Sequence, residues 1–165
     1  MAKKRRKQTE TAAALFGIYG ILMLYLLFIR GRHAVDGVPY WEQVLNNYNL
    51  VPFYTVGSYW HVLTNKEYYL EKWQAYSVYR YHARHAFINL AGNVAMFVPL
   101  GFLLPAASVK KRTFFRTFFT ALGLIAVVEA LQLFTLLGSC DIDDLILNAI
   151  GVVLGYGLWK LCRPQ

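Results

Sequence analysis

Four long apolar runs dominate the sequence, and such runs leave a chain few structural choices. In hydrocarbon every backbone N–H and C=O must find its partner inside the segment, so a run long enough to enter a membrane folds as a helix. The first, Ala12 to Ile29, is an 18-residue stretch without a charge, near the lower end of the roughly 20 residues that cross a bilayer. The second extends from about Ala86 to Ala107, the third from Phe114 to Gly138, and the fourth from Leu145 to Leu161. The last is short and needs snorkelling ends or local thinning to span. With 57% of 165 residues hydrophobic and 16% charged, the expected product is one all-α, polytopic membrane domain over residues 1–165. Its four transmembrane helices would occupy 12–29, 86–107, 114–138 and 145–161.

A signal peptide is the rival reading of the first run, because Lys3 to Lys7 are all basic and an apolar core follows. The run ends instead at Arg30-Gly31-Arg32-His33 with no small-x-small cleavage signal, which favours a retained helix behind a basic tail at 1–11. The remaining basic residues fix the orientation. Five precede the first span, Lys110, Lys111, Arg112 and Arg116 lie between the second and third, and Lys160 and Arg163 lie at the end, making eleven of seventeen on one side. By the positive-inside rule both termini face the cytoplasm. The net charge of +8 is then membrane-facing, and nucleic acid is an unnecessary explanation. Cys140 and Cys162 fall at opposite ends of the last span, so they cannot bridge each other and form no zinc pattern.

Between the first two spans, the outer segment 30–85 carries thirteen aromatics within residues 33–85, including Trp41, Trp60 and Trp73. Tyr and Trp favour the headgroup layer, where a ring is half dry and its polar tip wet. This pattern predicts short helices lying on or dipping into the outer leaflet, with Asn49-Leu50-Val51-Pro52-Phe53 as a re-entrant turn packed against the spans. A separate soluble subdomain is the alternative. Further on, Pro99 and Pro105 predict a kink in the second span. Gly151 and Gly155 give the fourth a Gly-x-x-x-Gly face, on which Asn148 also lies, for packing into the bundle or for a homodimer.

Polar side chains inside these runs mark a site, since each is costly in hydrocarbon. Asn89 and Asn93 lie one turn apart near the outer end of the second span, as do Asp144 and Asn148 in the fourth; Glu129 and Gln132 share a face in the third. At ~1.5 Å per residue, Glu129 lies ~12 Å and Asn93 ~10 Å below the outer surface. Asp141 and Asp143 add acid at the mouth, and Arg84 and His85 stand just above the second span, beside Arg80 and His82. These ten positions, from Arg84 and His85 through the three amide and acid pairs to Asp141 and Asp143, form the candidate ligand-binding set. Glu129 is the catalytic candidate if the site is chemical, because a carboxylate this deep must be neutral or paired. The plainer readings are interhelical hydrogen bonds for the asparagines, solvated turn positions for Asp141 and Asp143 with Asp143 or Asp144 capping the fourth span, and headgroup-layer rings for the histidines. Glu129, Asp141, Asp143 and Asp144 are also hard oxygen donors for Mg²⁺ or Ca²⁺, although their spacing matches no calcium loop.

At these residues the chain resembles the VanZ-like membrane protein family. Asn49-Leu50-Val51-Pro52-Phe53 is similar to its N-L-x-P-F segment. Asn89 to Asn93 with Phe97 to Phe102 is similar to its N-x-x-G-N-x-x-x-F-x-P-L-G-F helix. Glu129 to Gln132, followed by Asp141 to Asp144 and Asn148 to Gly151, resembles its E-x-x-Q and D-x-D-D-x-x-x-N-x-x-G block. The resemblance covers roughly residues 45 to 160. It implies a bacterial cytoplasmic-membrane protein acting at the envelope face, in a family whose named member is associated with teicoplanin resistance. Membrane lipids, a cell-wall lipid precursor or a glycopeptide are the partners so implied; no cofactor is specified. Family members commonly carry an arginine shortly before the D-x-D-D block, where this chain reads Leu137-Gly138-Ser139-Cys140. If that arginine pairs the acidic cluster or binds an anion in the family, then either Arg80 or Arg84 substitutes for it or the activity differs.

Overall fold

A computed structural model describes residues 2–26, 35–108 and 113–162, with side chains from residue 6 onward. These residues form seven helices in the order α1 (Ala2–Leu24), α2 (Tyr40–Leu45), α3 (Tyr54–Thr64), α4 (Lys66–Trp73), α5 (Tyr76–Ala106), α6 (Phe114–Thr135) and α7 (Ile142–Cys162). Three of them, α5, α6 and α7, are long and apolar enough to cross a membrane. The first expected span is not among these three. Only its residues 12–26 fall in the described part, as the apolar end of α1 and a wider π-type turn at Tyr25 and Leu26. Residues 27–29 lie outside the described residues, as do Lys110, Lys111, Arg112 and Arg163.

Helix α5 starts ten residues earlier than the apolar run, at Tyr76 instead of Ala86, and continues through both Pro99 and Pro105. Hydropathy reads the stretch that suits hydrocarbon, whereas a helix continues outward for as long as its backbone is unbroken. The tyrosine- and arginine-rich sequence 76–85 contains no breaker. Helix α7 likewise begins at Ile142, one turn before the apolar run.

The most extensive packing is between α5 and α7, with α1 and α6 against the pair. Met23, Phe97, Leu100, Leu104, Ala121, Ile125 and Val152 form the buried core. Small residues allow the close approach. A Cβ on Gly151 would stand 2.2 Å from the Val94 carbonyl oxygen, and one on Gly155 would stand 2.0 Å from that of Val98. In return, a Cβ on Gly101 of α5 would meet the Val152 carbonyl at 2.1 Å. The Gly-x-x-x-Gly face is therefore occupied within the chain, and the homodimer expected through Gly151 and Gly155 has no free glycine surface to use. Outside the core, Phe115, Phe119, Leu124, Val127 and Leu131 of α6, and Val153, Leu154, Leu158 and Leu161 of α7, remain exposed, which suits lipid as solvent.

Among the described residues between α1 and α5 lie the short helices α2, α3 and α4, and the turn at Asn49–Phe53 differs from the one expected. Residues 48–49 (β1) pair in parallel with residues 140–141 (β2), Tyr48 opposite Cys140 and Asn49 opposite Asp141. Leu50, Val51 and Phe53 are 60–65% exposed, so the Asn49–Phe53 turn does not insert its apolar side chains among the spans. Its backbone docks on the α6–α7 turn instead. The Asn47 side-chain amide donates to the Gly138 carbonyl, and the Tyr40 hydroxyl donates to the Phe134 carbonyl at 2.6 Å.

Candidate functional site

Two acidic residues of the D-x-D-D block are committed to holding this turn in place. Asp143 has no exposed surface; its carboxylate accepts from the Phe53 N–H at 2.5 Å and the Val56 N–H at 2.9 Å. These are amides at the start of α3, donors that a helix cannot satisfy by itself. Phe53 there takes a left-handed backbone, φ 63°, a conformation that costs an L-residue roughly 1–2 kcal/mol and persists because its surroundings impose it. Asp141 receives the Asp143 N–H at 2.9 Å on one oxygen and the Thr55 hydroxyl at 2.6 Å on the other. The Asn49 amide donates to Thr55 at 3.1 Å. Asp143 therefore caps α3 and not the fourth span, the helix for which a capping role was expected.

Below this layer the three long helices bring their polar pairs together. His85, Asn89, Asn93 and Phe97 recur every four residues and share one face of α5. Asn93 donates to Asp144 of α7 and, at 3.4 Å, to Asn89. Glu129 lies six residues before the end of α6, and Asn148 lies six after the start of α7. At 1.5 Å per residue both are about 9 Å inside their helix ends. Helix α6 buries Thr117, Ala121, Ile125 and Glu129 in a single stripe, so the acid faces the bundle and not lipid.

A cavity of about 310 Å³ opens between these groups. Its polar wall includes Asn89, Asn93, Glu129, Gln132, Asp144 and Asn148, with Asp141 and Thr55 above and Tyr59 and His85 at the rim. Phe97, Val128, Leu137 and Leu26 supply apolar surface. Two atoms of the wall are buried without a hydrogen-bond partner, Glu129 Oε2 and Asn148 Oδ1, on side chains only 7% and 3% exposed. An unsatisfied buried acceptor costs about 1–3 kcal/mol, and folded proteins keep few of them without a reason. Thr117 Oγ1 is also unpartnered, but it stands about 18 Å away along α6.

The cavity assembles eight of the ten sequence candidates. Asp143 is excluded because it faces α3. Arg84 is exposed and does not line the cavity, since it stands one residue before His85 and about 100° around the helix, and exposed Arg80, one turn before Arg84, shares that face. The anion-binding role expected of them, and the replacement for the missing arginine, are therefore not found here. His82 also lies outside; it stacks on Trp73 at 4.5 Å, whereas His85 meets the Tyr59 ring edge-on at 5.8 Å. Among the described residues no three acidic, histidine or cysteine side chains converge as metal ligands. The Glu129, Asp141, Asp143, Asp144 quartet is divided because Asp143 points away. Asn49, Thr55 and Tyr59 are contributors that hydropathy could not reveal, since they come from outside the apolar runs. Only the Asn49 motif hinted at them.

Cys140, in the turn beside this wall, has its thiol pushed up from its ordinary range by burial and then by the charges of Glu129, Asp141 and Asp144. The described part of the wall is electronegative.

Long apolar helices that turn acid and amide side chains inward on a shared cavity define a helical membrane protein with an internal polar site. The chain belongs to the VanZ/LLP1 family, whose model matches residues 16–163. A relative from Enterococcus faecium, Protein VanZ, is 31% identical over 126 residues, covering 70% of this chain and 74% of the relative. No solved structure matches the chain.

Proposed function

We propose that the protein is a multi-pass component of a bacterial cytoplasmic membrane, with both termini inside, that binds an amphiphilic envelope molecule in the cavity beneath its outer face. A membrane lipid, a lipid-linked wall precursor or a glycopeptide fits that description, and the consequence is lowered sensitivity to lipophilic glycopeptides such as teicoplanin. The observation that carries this reading is the pair of buried, unpartnered acceptors, Glu129 Oε2 and Asn148 Oδ1, on the wall of a cavity lined by three helices. Those groups are costly without a guest and useful with one. The charge pattern of the loops supports the orientation, and the kinship with Protein VanZ supports the envelope setting.

The test is expression in a glycopeptide-sensitive bacterial host. Wild-type protein is expected to raise the teicoplanin concentration needed to stop growth. Glu129→Gln, present in the membrane at equal abundance, is expected to abolish the effect. Full protection by Glu129→Gln, combined with loss of protection when Trp60 and Trp73 are replaced, would transfer the function to the aromatic outer segment and remove the cavity from it.

A further inference from the structure

Among the described residues the cavity wall is unbalanced in charge and in the buried groups it leaves unpaired. Three of its side chains are acids, Glu129, Asp141 and Asp144, and no lysine or arginine among the described residues lines it. Two of its donors are engaged with its own acceptors: the Asn93 amide serves Asp144 and Asn89, and the Thr55 hydroxyl serves Asp141. Among the buried side-chain atoms of the wall, the two left without a partner are both acceptors, Glu129 Oε2 and Asn148 Oδ1.

An acceptor-rich, acidic wall selects its guest. A phosphate or carboxylate brings only further lone pairs and a charge of the same sign. A hydroxyl supplies one donor and no compensating charge. A quaternary ammonium compensates charge but has no N–H. A primary ammonium carries three N–H donors and a positive charge on a compact head, and hydrogen bonds between charged groups are the stronger class. The volume of about 310 Å³ suits a small head group, and Phe97, Val128 and Leu137 offer an apolar lining for an aliphatic stem.

We propose that the cavity binds a primary ammonium group on an aliphatic stem, its N–H donors shared among Glu129, Asn148 and Asp144. This rests on the cavity being a binding site, and it names the head-group chemistry. The ammonium can belong to a membrane lipid or to a soluble amine.

Titration of the full chain in neutral maltoside micelles, followed by native mass spectrometry, tests it with n-dodecylammonium, n-dodecyltrimethylammonium, n-dodecyl phosphate and n-butylammonium. Dodecylammonium is expected to bind about tenfold or more tighter than the trimethyl and phosphate probes, and Glu129→Gln to remove about that factor. Asn148→Asp adds a carboxylate in the same shape, so it is expected to tighten dodecylammonium and weaken dodecyl phosphate further; this arm serves even if Glu129→Gln does not accumulate. Equal competition by butylammonium supports a soluble amine as the source, and failure of butylammonium beside strong dodecylammonium binding supports a lipid. Preferential, Glu129-dependent binding of dodecyl phosphate overturns the ammonium assignment while leaving the binding site in place. Binding of every probe unaltered by both variants overturns the assignment and the site together.

Discussion

At the scale of single residues, four neighbouring positions do four different things. Asp141 ties the turn to Thr55, Asp143 holds the start of α3, Asp144 faces the cavity with Asn93, and the Cys140 thiol lies against their combined charge. Each step along the start of a helix rotates the side chain by about 100°, so adjacent acids diverge. The Cys140 thiol reports the outcome. Its acidity is suppressed first by burial and next by Glu129, and only the thiolate reacts with maleimide. Alkylation of Cys140 in a Cys162→Ser background is therefore expected to lag behind an ordinary exposed thiol at pH 8 and to catch up only at more alkaline pH. In Glu129→Gln one negative neighbour is gone, the thiol's acidity moves back toward the ordinary value, and the rate at pH 8 should rise. An unchanged rate would mean that Glu129 exerts no charge on the turn. The composition of this cluster was legible in the sequence, but its directions were not. Until the first residue of α7 is known to be Ile142, nothing distinguishes the acid that faces the cavity from the acid that caps another helix.

Among the elements, the pairing of α5 with α7 decides whether the cavity exists, because it sets Asn93 beside Asp144. The Gly-x-x-x-Gly spacing shows in the sequence that α7 has a face for close approach. It is silent about the partner, since a backbone carbonyl received by a glycine needs no matching motif on the other helix. Here the carbonyls come from Val94 and Val98, residues with no distinguishing pattern. The apolar stretches of α5 and α7 were legible while their true starts were not, because hydrocarbon selects composition and helices overrun it. The contact itself is testable. A methyl on Gly155 would stand 2.0 Å from the Val98 oxygen, so Gly155→Ala must push α5 and α7 apart, at about 1–3 kcal/mol for an overpacked interior. Gly123 has nothing within 4 Å of its added Cβ, and Gly123→Ala should be neutral or stabilise by up to about 1 kcal/mol through helix propensity. Thermal unfolding in detergent should separate the two. Equal midpoints would show that the crossing of α5 and α7 is looser than this packing requires.

For the whole molecule, the two ends of the helical bundle differ in charge and in the company they keep. Helices α2 and α3 and the strand pairing all attach to the end that carries Asp141, Asp143 and Asp144, so the aromatic segment and the acidic turn must lie on the same side of any membrane that α5, α6 and α7 cross. The opposite end has Arg116 at the start of α6 and Lys160 at the end of α7, beside the basic positions that sequence places between α5 and α6. Basic residues are retained on the cytoplasmic side during insertion, so the proposed orientation has the acidic, aromatic end outside. Single cysteines in a background lacking Cys140 and Cys162 resolve this, because Lys72 and Arg116 are both exposed and stand at opposite ends. Lys72→Cys is expected to react with a membrane-impermeant maleimide on intact cells, and Arg116→Cys only after permeabilisation. The reverse pattern would open the cavity toward the cytoplasm and detach it from the envelope face. Labelling of both on intact cells would mean that α6 does not separate two compartments, and a site that depends on Glu129 lying inside hydrocarbon would lose its physical basis.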